Sequence, residues 1–292
     1  MDEIKKPIIF IIGETASGKT YLAHQLAIRL NGEIVSADST LVKRELSIGT
    51  DKPSKKMLSQ VKYHMVDIVS VNDEFSVADY KKLALKAIDS VWKNKKIPIV
   101  VGGSGLYLNS IIYNYGFNKN IKNDNLNRKS ADELIEIARK NKLNLENLDL
   151  RNTRRLANFI RNEGKTGTRG NISNSKIYLL GIRIERASLI ENIKRRVDQM
   201  IEQGLENEVV GLLSNPEINK EKLNIIGYKE WFSSDKKNSL KFVKESIIKN
   251  TKLLAKKQRT WFKNKIDYPI EWVDYPYNLE DIVDALTTFI NK

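Results

Sequence analysis

The chain has 292 residues with 50 Lys+Arg and 36 Asp+Glu, so its formal net charge is +14. An apolar fraction of 41% is enough to build a buried core, which excludes wholesale disorder. The absence of cysteine excludes a disulfide framework, cysteine-ligated zinc and thiol catalysis, and two histidines leave little room for a histidine metal site. The basic balance favours a polyanionic partner, and a merely solvated lysine-rich surface is the alternative.

Neither a secretion signal nor a membrane span is predicted. The apolar stretch from Pro7 to Ile12 is too short for the core of a signal peptide and leads directly into a glycine-rich loop. Elsewhere no apolar run approaches the roughly 20 residues that cross a bilayer. We therefore expect a cytoplasmic protein without membrane contact.

Strands and helices alternate along the first hundred residues. Short apolar, β-branched runs predict strands buried on both faces, and apolar residues at a helical period predict the helices between them. The predicted strands are Ile8–Ile12, Ile34–Val35 and Ile97–Val101, and the predicted helices are Tyr21–Leu30 and Val77–Trp92. This order is typical of an α/β fold with an open parallel sheet flanked by helices.

The middle of the chain changes character. Residues 118–170 are polar and asparagine-rich, with 13 Lys+Arg against 7 Asp+Glu, and helices are predicted at Ala131–Ala138 and Thr153–Ile160. We interpret 118–170 as a small helical insertion in a core made of 1–117 and 171–292. The core then resumes with a predicted strand and two long helices: Ile177–Ile184, Arg186–Leu213 with a break at Gly204, and Ser239–Phe262.

A phosphate-binding loop follows the first strand. Residues 13–20 read Gly-Glu-Thr-Ala-Ser-Gly-Lys-Thr, which matches G-x-x-x-x-G-K-[ST] between a predicted strand and a predicted helix. In such a P-loop, backbone N–H groups and the helix N-terminus surround an anion, while Lys19 adds a mobile positive charge. Glu14 is unfavourable beside a phosphate, so we expect its side chain to point away.

Asp38 directly follows the second strand. The carboxyl ends of parallel strands face the ligand crevice, which places Asp38 near the P-loop as a candidate base or metal ligand. The alternative is an N-cap for the next helix. His64 is interpreted as a structural or hydrogen-bonding residue, and the tryptophans Trp231, Trp261 and Trp272 as packing residues.

The last long helix lies in a strongly basic segment. Residues 236–265 contain 11 Lys+Arg and a single acid, Glu245. Leu240, Val243, Ile247, Leu254 and Trp261 recur at helical spacing and are expected to face the core. One-signed charge of this density favours contact with an RNA backbone over a solvated face.

Several stretches together resemble the tRNA dimethylallyltransferases (tRNA isopentenyltransferases) of the bacterial type. They occur in the family's order over nearly the whole chain, and the sixth and the last are the most specific. The matching stretches are 13–20, 37–39, 48–53, 64–67, 75–80, 101–107 (Val-Gly-Gly-Ser-Gly-Leu-Tyr), 195–200, 227–230 and 255–262 (Ala-Lys-Lys-Gln-Arg-Thr-Trp-Phe).

The resemblance implies a reaction and a set of site residues. A dimethylallyl group would pass from dimethylallyl diphosphate to N6 of a flipped adenosine next to the anticodon. Asp38 would act as general base, Ser104 would bind near the adenosine, and Thr20 would help to hold Mg²⁺ beside the diphosphate. The implied diphosphate-binding residues are Gly13, Thr15, Ala16, Ser17, Gly18, Lys19, Thr20 and Arg196. Implied contacts to the tRNA anticodon stem-loop are Asp38, Ser39, Thr40, Leu41, Ser104, Arg128, Arg154, Arg155, Tyr228, Lys229, Lys256, Lys257, Gln258, Arg259 and Trp261, with 118–170 as a tRNA-binding piece.

Departures from the family pattern fall mostly on the tRNA-facing side. Among them, Glu14 stands where the family usually has Pro, and Ser104 where it usually has Thr. Two other functions remain open from the residues alone. These are a P-loop small-molecule kinase that uses ATP with Asp38 as base, and an RNA-binding protein whose P-loop is a nucleotide switch. The sequence points to no obligate protein partner, so a monomer is expected.

Overall fold

Six parallel strands form the centre of the computed structural model, which describes residues 5–117, 125–146, 148–163, 170, 172, 175–232 and 239–292. The strands are β1 Lys6–Ile12, β2 Gly32–Ser36, β3 Tyr63–His64, β4 Ile97–Gly102, β5 Ser175–Arg183 and β6 Glu271–Asp274. Their order across the sheet is β3-β2-β4-β1-β5-β6. In the centre of the sheet, Ile9 of β1 lies opposite Ile99 of β4 and Tyr178 of β5. The predicted α/β class is confirmed.

Ten α-helices are assigned within the described ranges. They are α1 Lys19–Arg29, α2 Lys55–Gln60, α3 Val77–Lys93, α4 Gly105–Ile112, α5 Ala131–Lys140, α6 Thr153–Arg161, α7 Arg186–Glu202, α8 Leu205–Ser214, α9 Leu240–Lys265 and α10 Leu279–Asn291. Gly204, with a φ of +94°, separates α7 from α8, because this left-handed conformation ends one helix and begins the next. The predicted break is thus confirmed.

The ends of several helices are fixed by local hydrogen bonds. Ser239 caps α9 by accepting the Phe242 N–H, and Ser76 with Asp79 forms a capping box at α3. Sequence reasoning did not predict α2, β3, α4, β6 or α10. Helix α4 begins among the glycines at 102, 103 and 105, which obscure a helical period in the sequence.

The sheet is buried by apolar side chains from both sequence ends. Isoleucines of β1 pack with Leu22 and Leu26 of α1, while Ile282 and Leu286 of α10 join the same cluster. The expectation that Leu240 and Leu254 of α9 face the core is wrong, because they are 42% and 37% exposed. Val243 and Ile247 of α9 are buried as expected.

Residues 113–171 form a second compact unit, separate from the unit made of 1–112 and 172–292. Its helices α5 and α6 enclose a small core of Leu134, Ala138, Leu156, Ala157 and Ile160. Ser130 and Glu133 form a capping box at the start of α5. Arg128, Arg154 and Arg155 are all exposed on this unit. Among the described parts of the chain, the structure has no helix long and apolar enough to cross a membrane.

Candidate active site

A cavity of about 640 Å³ opens where the strands β1, β2 and β4 end. The P-loop follows β1, Asp38 follows β2, and a glycine-rich turn at 102–105 follows β4. Parallel strands carry their ligand crevice at this edge, so the topology brings the three segments together. Of the predicted site residues, those that line the cavity are Thr15, Lys19, Thr20, Asp38, Ser39, Thr40, Leu41, Ser104, Arg196, Lys257, Gln258 and Trp261.

The P-loop has the backbone shape of an anion site. Ala16 and Gly18 have φ values of +62° and +83°, and such left-handed residues turn neighbouring N–H groups toward one point. A Cβ on Gly13 would lie 2.7 Å from the Ser17 hydroxyl oxygen, so only glycine fits there without a shift. That Ser17 hydroxyl is buried and has no hydrogen-bond partner among the described residues.

Lys19 reaches back across the loop. Its ammonium donates to the carbonyl oxygen of Glu14 at 3.1 Å. The pKa of Lys19 is lowered to about 8, chiefly by burial; the positive charge of Arg196 adds to the lowering, while Asp38 and Asp51 act in the opposite direction. Lys19 is therefore a cation held in a poorly solvated site, ready for an anionic ligand.

Arg196 of α7 lies beside the loop. Its Nη1 donates to the Thr15 hydroxyl at 2.9 Å, and its Nε lies 3.2 Å from a carboxylate oxygen of Asp51. The structure thereby brings Arg196 to the phosphate loop across about 180 residues of sequence. Sequence reasoning missed Asp51, although it belongs to the 48–53 stretch that the resemblance had marked.

Asp38 and Ser104 are joined through the segment 38–40. Oδ1 of Asp38 accepts from the Thr40 N–H at 2.9 Å and from the Thr40 hydroxyl at 2.7 Å. Ser104 Oγ accepts the Ser39 N–H at 3.0 Å. A turn follows Asp38, and the next helix begins only at Lys55, so the N-cap alternative for a helix does not apply.

Glycine allows this close approach of two strand ends. A Cβ on Gly102 would lie 2.1 Å from the Ala37 carbonyl oxygen, a contact that no side chain tolerates. The amide N–H of Ser104 donates to the same Ala37 oxygen at 3.1 Å. Backbone contacts therefore fix the two strand ends from which the carboxylate and the serine project.

Helix α9 also lines the cavity, beside the P-loop and the glycine-rich turn. Gln258 accepts the Thr15 N–H at 2.7 Å and donates to the Gly103 carbonyl oxygen at 3.1 Å, so it joins the P-loop to the glycine turn. Trp261 packs on Gly105, where a Cβ would lie 2.2 Å from its ring. The structure therefore agrees with the packing role that the sequence predicted for Trp261. The residue also lines the cavity.

One predicted RNA contact is wrong. Tyr228 is completely buried, and its hydroxyl donates to Glu208 at 2.6 Å. Its ring packs on Gly49, where a Cβ would lie 2.6 Å from the ring. Tyr228 is a core residue that holds the 48–50 turn. Lys229, next to it, is partly exposed, and Lys256 is exposed on α9.

Two further expectations agree with the structure. His64 is a hydrogen-bonding residue, since its Nε2 lies 2.7 Å from a carboxylate oxygen of the buried Glu33. The Glu14 side chain does not line the cavity and instead forms an ion pair with Arg259 of α9. Arg259 was predicted to contact RNA; its side chain is half exposed, and its guanidinium is paired with the buried Glu14 carboxylate.

An apolar compartment continues from the phosphate loop. Its walls come from α7, from residues 225–226 and from α9, and the sequence analysis had not predicted that these segments form one compartment. The apolar lining residues are Ile193, Val197, Met200, Ile225, Ile226, Ile247 and Leu254. The cavity thus combines an anion site, the Asp38 carboxylate and an apolar compartment.

The side chains of the cavity offer few ligands to a divalent metal ion. Within the described ranges, no group of three or more His, Asp or Glu side chains is arranged to hold an ion. Mg²⁺ commonly takes only one or two protein oxygens and completes its shell with substrate phosphates and water. The Thr20 hydroxyl lines the cavity beside Lys19 and suits such a shared site.

Fold and site define a P-loop α/β protein whose cavity suits a phosphorylated ligand with an apolar part. A family model described as IPP transferase matches residues 41–265. The chain is 37% identical to a tRNA dimethylallyltransferase of Anoxybacillus flavithermus, over 91% of this chain and 90% of the relative. The chain belongs to the IPP transferase family.

Solved structures give the same result. The crystal structure of a tRNA isopentenylpyrophosphate transferase from Staphylococcus epidermidis is 31% identical, covers 98% of this chain and 99% of its own, and has a TM-score of 0.71. A eukaryotic dimethylallyltransferase has a TM-score of 0.80 over 98% of this chain and 80% of its own, but at 23% identity that likeness concerns the fold alone.

Proposed function

We propose that this chain is a tRNA dimethylallyltransferase, which transfers the dimethylallyl group of dimethylallyl diphosphate to N6 of an adenosine next to the anticodon. One observation carries the proposal: a single cavity joins a phosphate loop, a carboxylate at Asp38 and an apolar compartment. A kinase that uses ATP needs the first two features but has no use for a compartment of aliphatic side chains beside the phosphate site. Family membership favours the same choice.

The phosphate loop supports departure of diphosphate. When the C1–O bond of the prenyl donor breaks, negative charge develops on the leaving oxygen. The loop N–H groups, Lys19 and Arg196 stabilise that charge without reorganising, because their contacts already hold them in place. Mg²⁺ bound by Thr20 and the diphosphate would supply further charge neutralisation.

Asp38 and Ser104 support the acceptor side of the reaction. As N6 of the flipped adenosine forms a bond to C1, it loses a proton, and Asp38 accepts it as general base. Two bonds from Thr40 hold Oδ1 of Asp38, which keeps the carboxylate oriented. Ser104 lies beside it and is suited to hydrogen-bond the adenosine.

The apolar compartment receives the dimethylallyl group and keeps water away from C1. An allylic carbon that is losing diphosphate reacts with water as well as with an amine, so water must be excluded. Ile193, Val197 and Met200 of α7 line this compartment and lie on the same helix as Arg196. One helix thereby serves both ends of the donor.

RNA binding is assigned to exposed cations. The exposed lysines of α9, among them Lys256 and Lys257, fit contacts to the phosphate backbone, which position the RNA without reading its sequence. In the second unit, Arg128, Arg154 and Arg155 are exposed and carry the same chemistry. We place the reaction in the cytoplasm, where tRNA is available.

The test is direct transfer. The protein is incubated with Mg²⁺, unmodified tRNA and dimethylallyl diphosphate labelled in the prenyl group, and label is expected in the tRNA with release of diphosphate. A parallel reaction contains ATP labelled at the γ-phosphate with the same tRNA and with small hydroxyl compounds. Transfer of phosphate from ATP without transfer of the prenyl label would contradict the proposal and favour the kinase.

A further inference from the structure

The phosphate loop carries a buried carboxylate, Glu14, whose side chain lies outside the cavity but within the loop that is to bind an anion. The Glu14 side chain is only 10% exposed, so water screens its charge poorly. A carboxylate at this depth repels a diphosphate and is itself costly to bury without a partner. Its charge must therefore be cancelled for the loop to bind an anion.

Arg259 of α9 supplies the opposite charge. Its Nε and Nη2 both donate to the Glu14 carboxylate, the second at 3.0 Å to Oε2. Two parallel bonds of this kind form a bidentate pair, the strongest arrangement of guanidinium and carboxylate. Contact with Glu14 also raises the pKa of Arg259, so its charge is permanent.

The neighbouring residue of α9 fastens the same loop. Gln258 accepts the N–H of Thr15, which follows Glu14 in the chain, and binds the Gly103 carbonyl oxygen with its amide nitrogen. The carbonyl oxygen of Glu14 accepts from Lys19 at 3.1 Å. Glu14 is thus held on its side chain by α9 and on its backbone by the lysine of the P-loop.

We propose that Arg259 is a positioning residue of the diphosphate site, which cancels the charge of Glu14 and fixes the phosphate loop to α9, and is not an RNA contact. The identity of the ligand, a diphosphate ester, rests on the proposed function. The Glu14–Arg259 ion pair adds no net charge, so Lys19 and the backbone N–H groups of the loop determine how the loop attracts an anion. The side chain of Glu14 also keeps the loop attached to α9.

Binding of inorganic diphosphate and of dimethylallyl diphosphate, each with Mg²⁺ and without RNA, tests the proposal by calorimetry. Arg259→Leu leaves Glu14 uncompensated and is expected to raise both dissociation constants on the order of tenfold. Arg259→Leu combined with Glu14→Gln removes both charges and is expected to restore them to within about threefold of the unaltered protein. Thermal melting of each variant shows whether it folds.

Lys82→Leu is the matched control, because it removes one positive charge from an exposed position of α3 outside the cavity. It is expected to leave both dissociation constants unchanged. In steady-state assays, Arg259→Leu should raise KM for the prenyl donor more than it raises KM for tRNA, which a general loss of stability would not do.

Two outcomes would overturn the proposal while leaving the proposed function intact. In the first, Arg259→Leu binds diphosphate as well as the unaltered protein does. In the second, the double variant remains as weak as Arg259→Leu, which would mean that Arg259 touches the diphosphate itself. Failure of the unaltered protein to bind dimethylallyl diphosphate would overturn the proposed function together with this inference.

Discussion

Asp38 and Lys19 are oppositely charged residues of one cavity, and their surroundings differ. Asp38 is partly exposed at the end of β2 and tied by Thr40, whereas Lys19 is buried in the first turn of α1. In the proposed reaction, the carboxylate serves the incoming nucleophile and the ammonium serves the leaving group. Their roles can be separated by substitution.

Replacing Asp38 should remove chemistry and spare binding. Asp38→Asn keeps the shape of the side chain but cannot accept the N6 proton, so we expect kcat to fall about 10²- to 10⁴-fold. Binding of tRNA, measured by filter retention, should change less than about threefold, since phosphate contacts dominate RNA affinity. Asp89→Asn on α3, outside the cavity, serves as the control and should retain activity. A proportionate loss of tRNA binding in Asp38→Asn would instead make Asp38 a structural residue.

The lowered pKa of Lys19 predicts a pH dependence of diphosphate binding. The free protein loses the Lys19 proton as pH rises through about 8, and the neutral amine binds diphosphate poorly. Affinity should therefore fall between pH 7 and 9, which calorimetry at fixed ionic strength will show. Lys19→Arg keeps its charge throughout and should bind with a flatter profile. The same slope in both proteins would exclude Lys19 as the titrating group.

The lowered pKa of Lys19 also makes the free energy of unfolding depend on pH, and this quantity rises with pH where the diphosphate affinity falls. Between about 8 and 10.5, the unfolded lysine still holds a proton that the folded one has released. The unfolded state then binds more protons, so the contribution of Lys19 to the free energy of unfolding rises with pH across this window. Diphosphate removes the effect, because its charge favours the protonated amine.

At the scale of elements, different parts of the surface of α9 face the core, the cavity and solvent. Val243, Ile247 and Phe262 are buried, Gln258 and Trp261 reach the cavity, and most lysines remain exposed. Amphipathic helices bury one stripe and solvate the rest. In α9 the solvated part is almost entirely positive.

Reversing lysines of α9 should weaken tRNA binding and lower its dependence on salt. Lys249→Glu, Lys256→Glu and Lys263→Glu together would remove about three phosphate contacts, so the slope of log K against log salt should flatten by roughly 2 to 3. Filter binding at several salt concentrations measures it. Reversal of Lys82, Lys86 and Lys93 on α3 changes the net charge equally and is the control. An unchanged slope in the α9 variant would remove this helix from the RNA interface.

At the scale of the whole molecule, positive charge is concentrated in two segments. Residues 236–265 hold 11 Lys+Arg against 1 acid, and residues 118–170 hold 13 against 7. The rest of the chain has 26 Lys+Arg against 28 Asp+Glu, which leaves it near neutral. The total of +14 therefore reflects two basic regions and not a uniformly basic surface. One-signed charge in each of these regions favours a polyanionic partner over general solubility.

The local parts of the site followed from the sequence. The P-loop, the strand before it and the helix after it depend on residues within about one turn of each other, because glycine conformations and backbone N–H directions are local properties. The position of Asp38 followed from the rule that parallel strands end at one edge. Each of these predictions needed only the order of elements along the chain.

Contacts across the chain were decided by the tertiary structure alone. Tyr228 became a core residue because Glu208 and Gly49 meet it from distant segments, and Arg259 met Glu14 across 245 positions. The apolar compartment likewise exists only where α7, α9 and residues 225–226 converge. A helical period shows that one face is apolar, but it cannot show which neighbour covers that face. Sequence determined the chemistry available to this protein, and packing decided which side chains perform it.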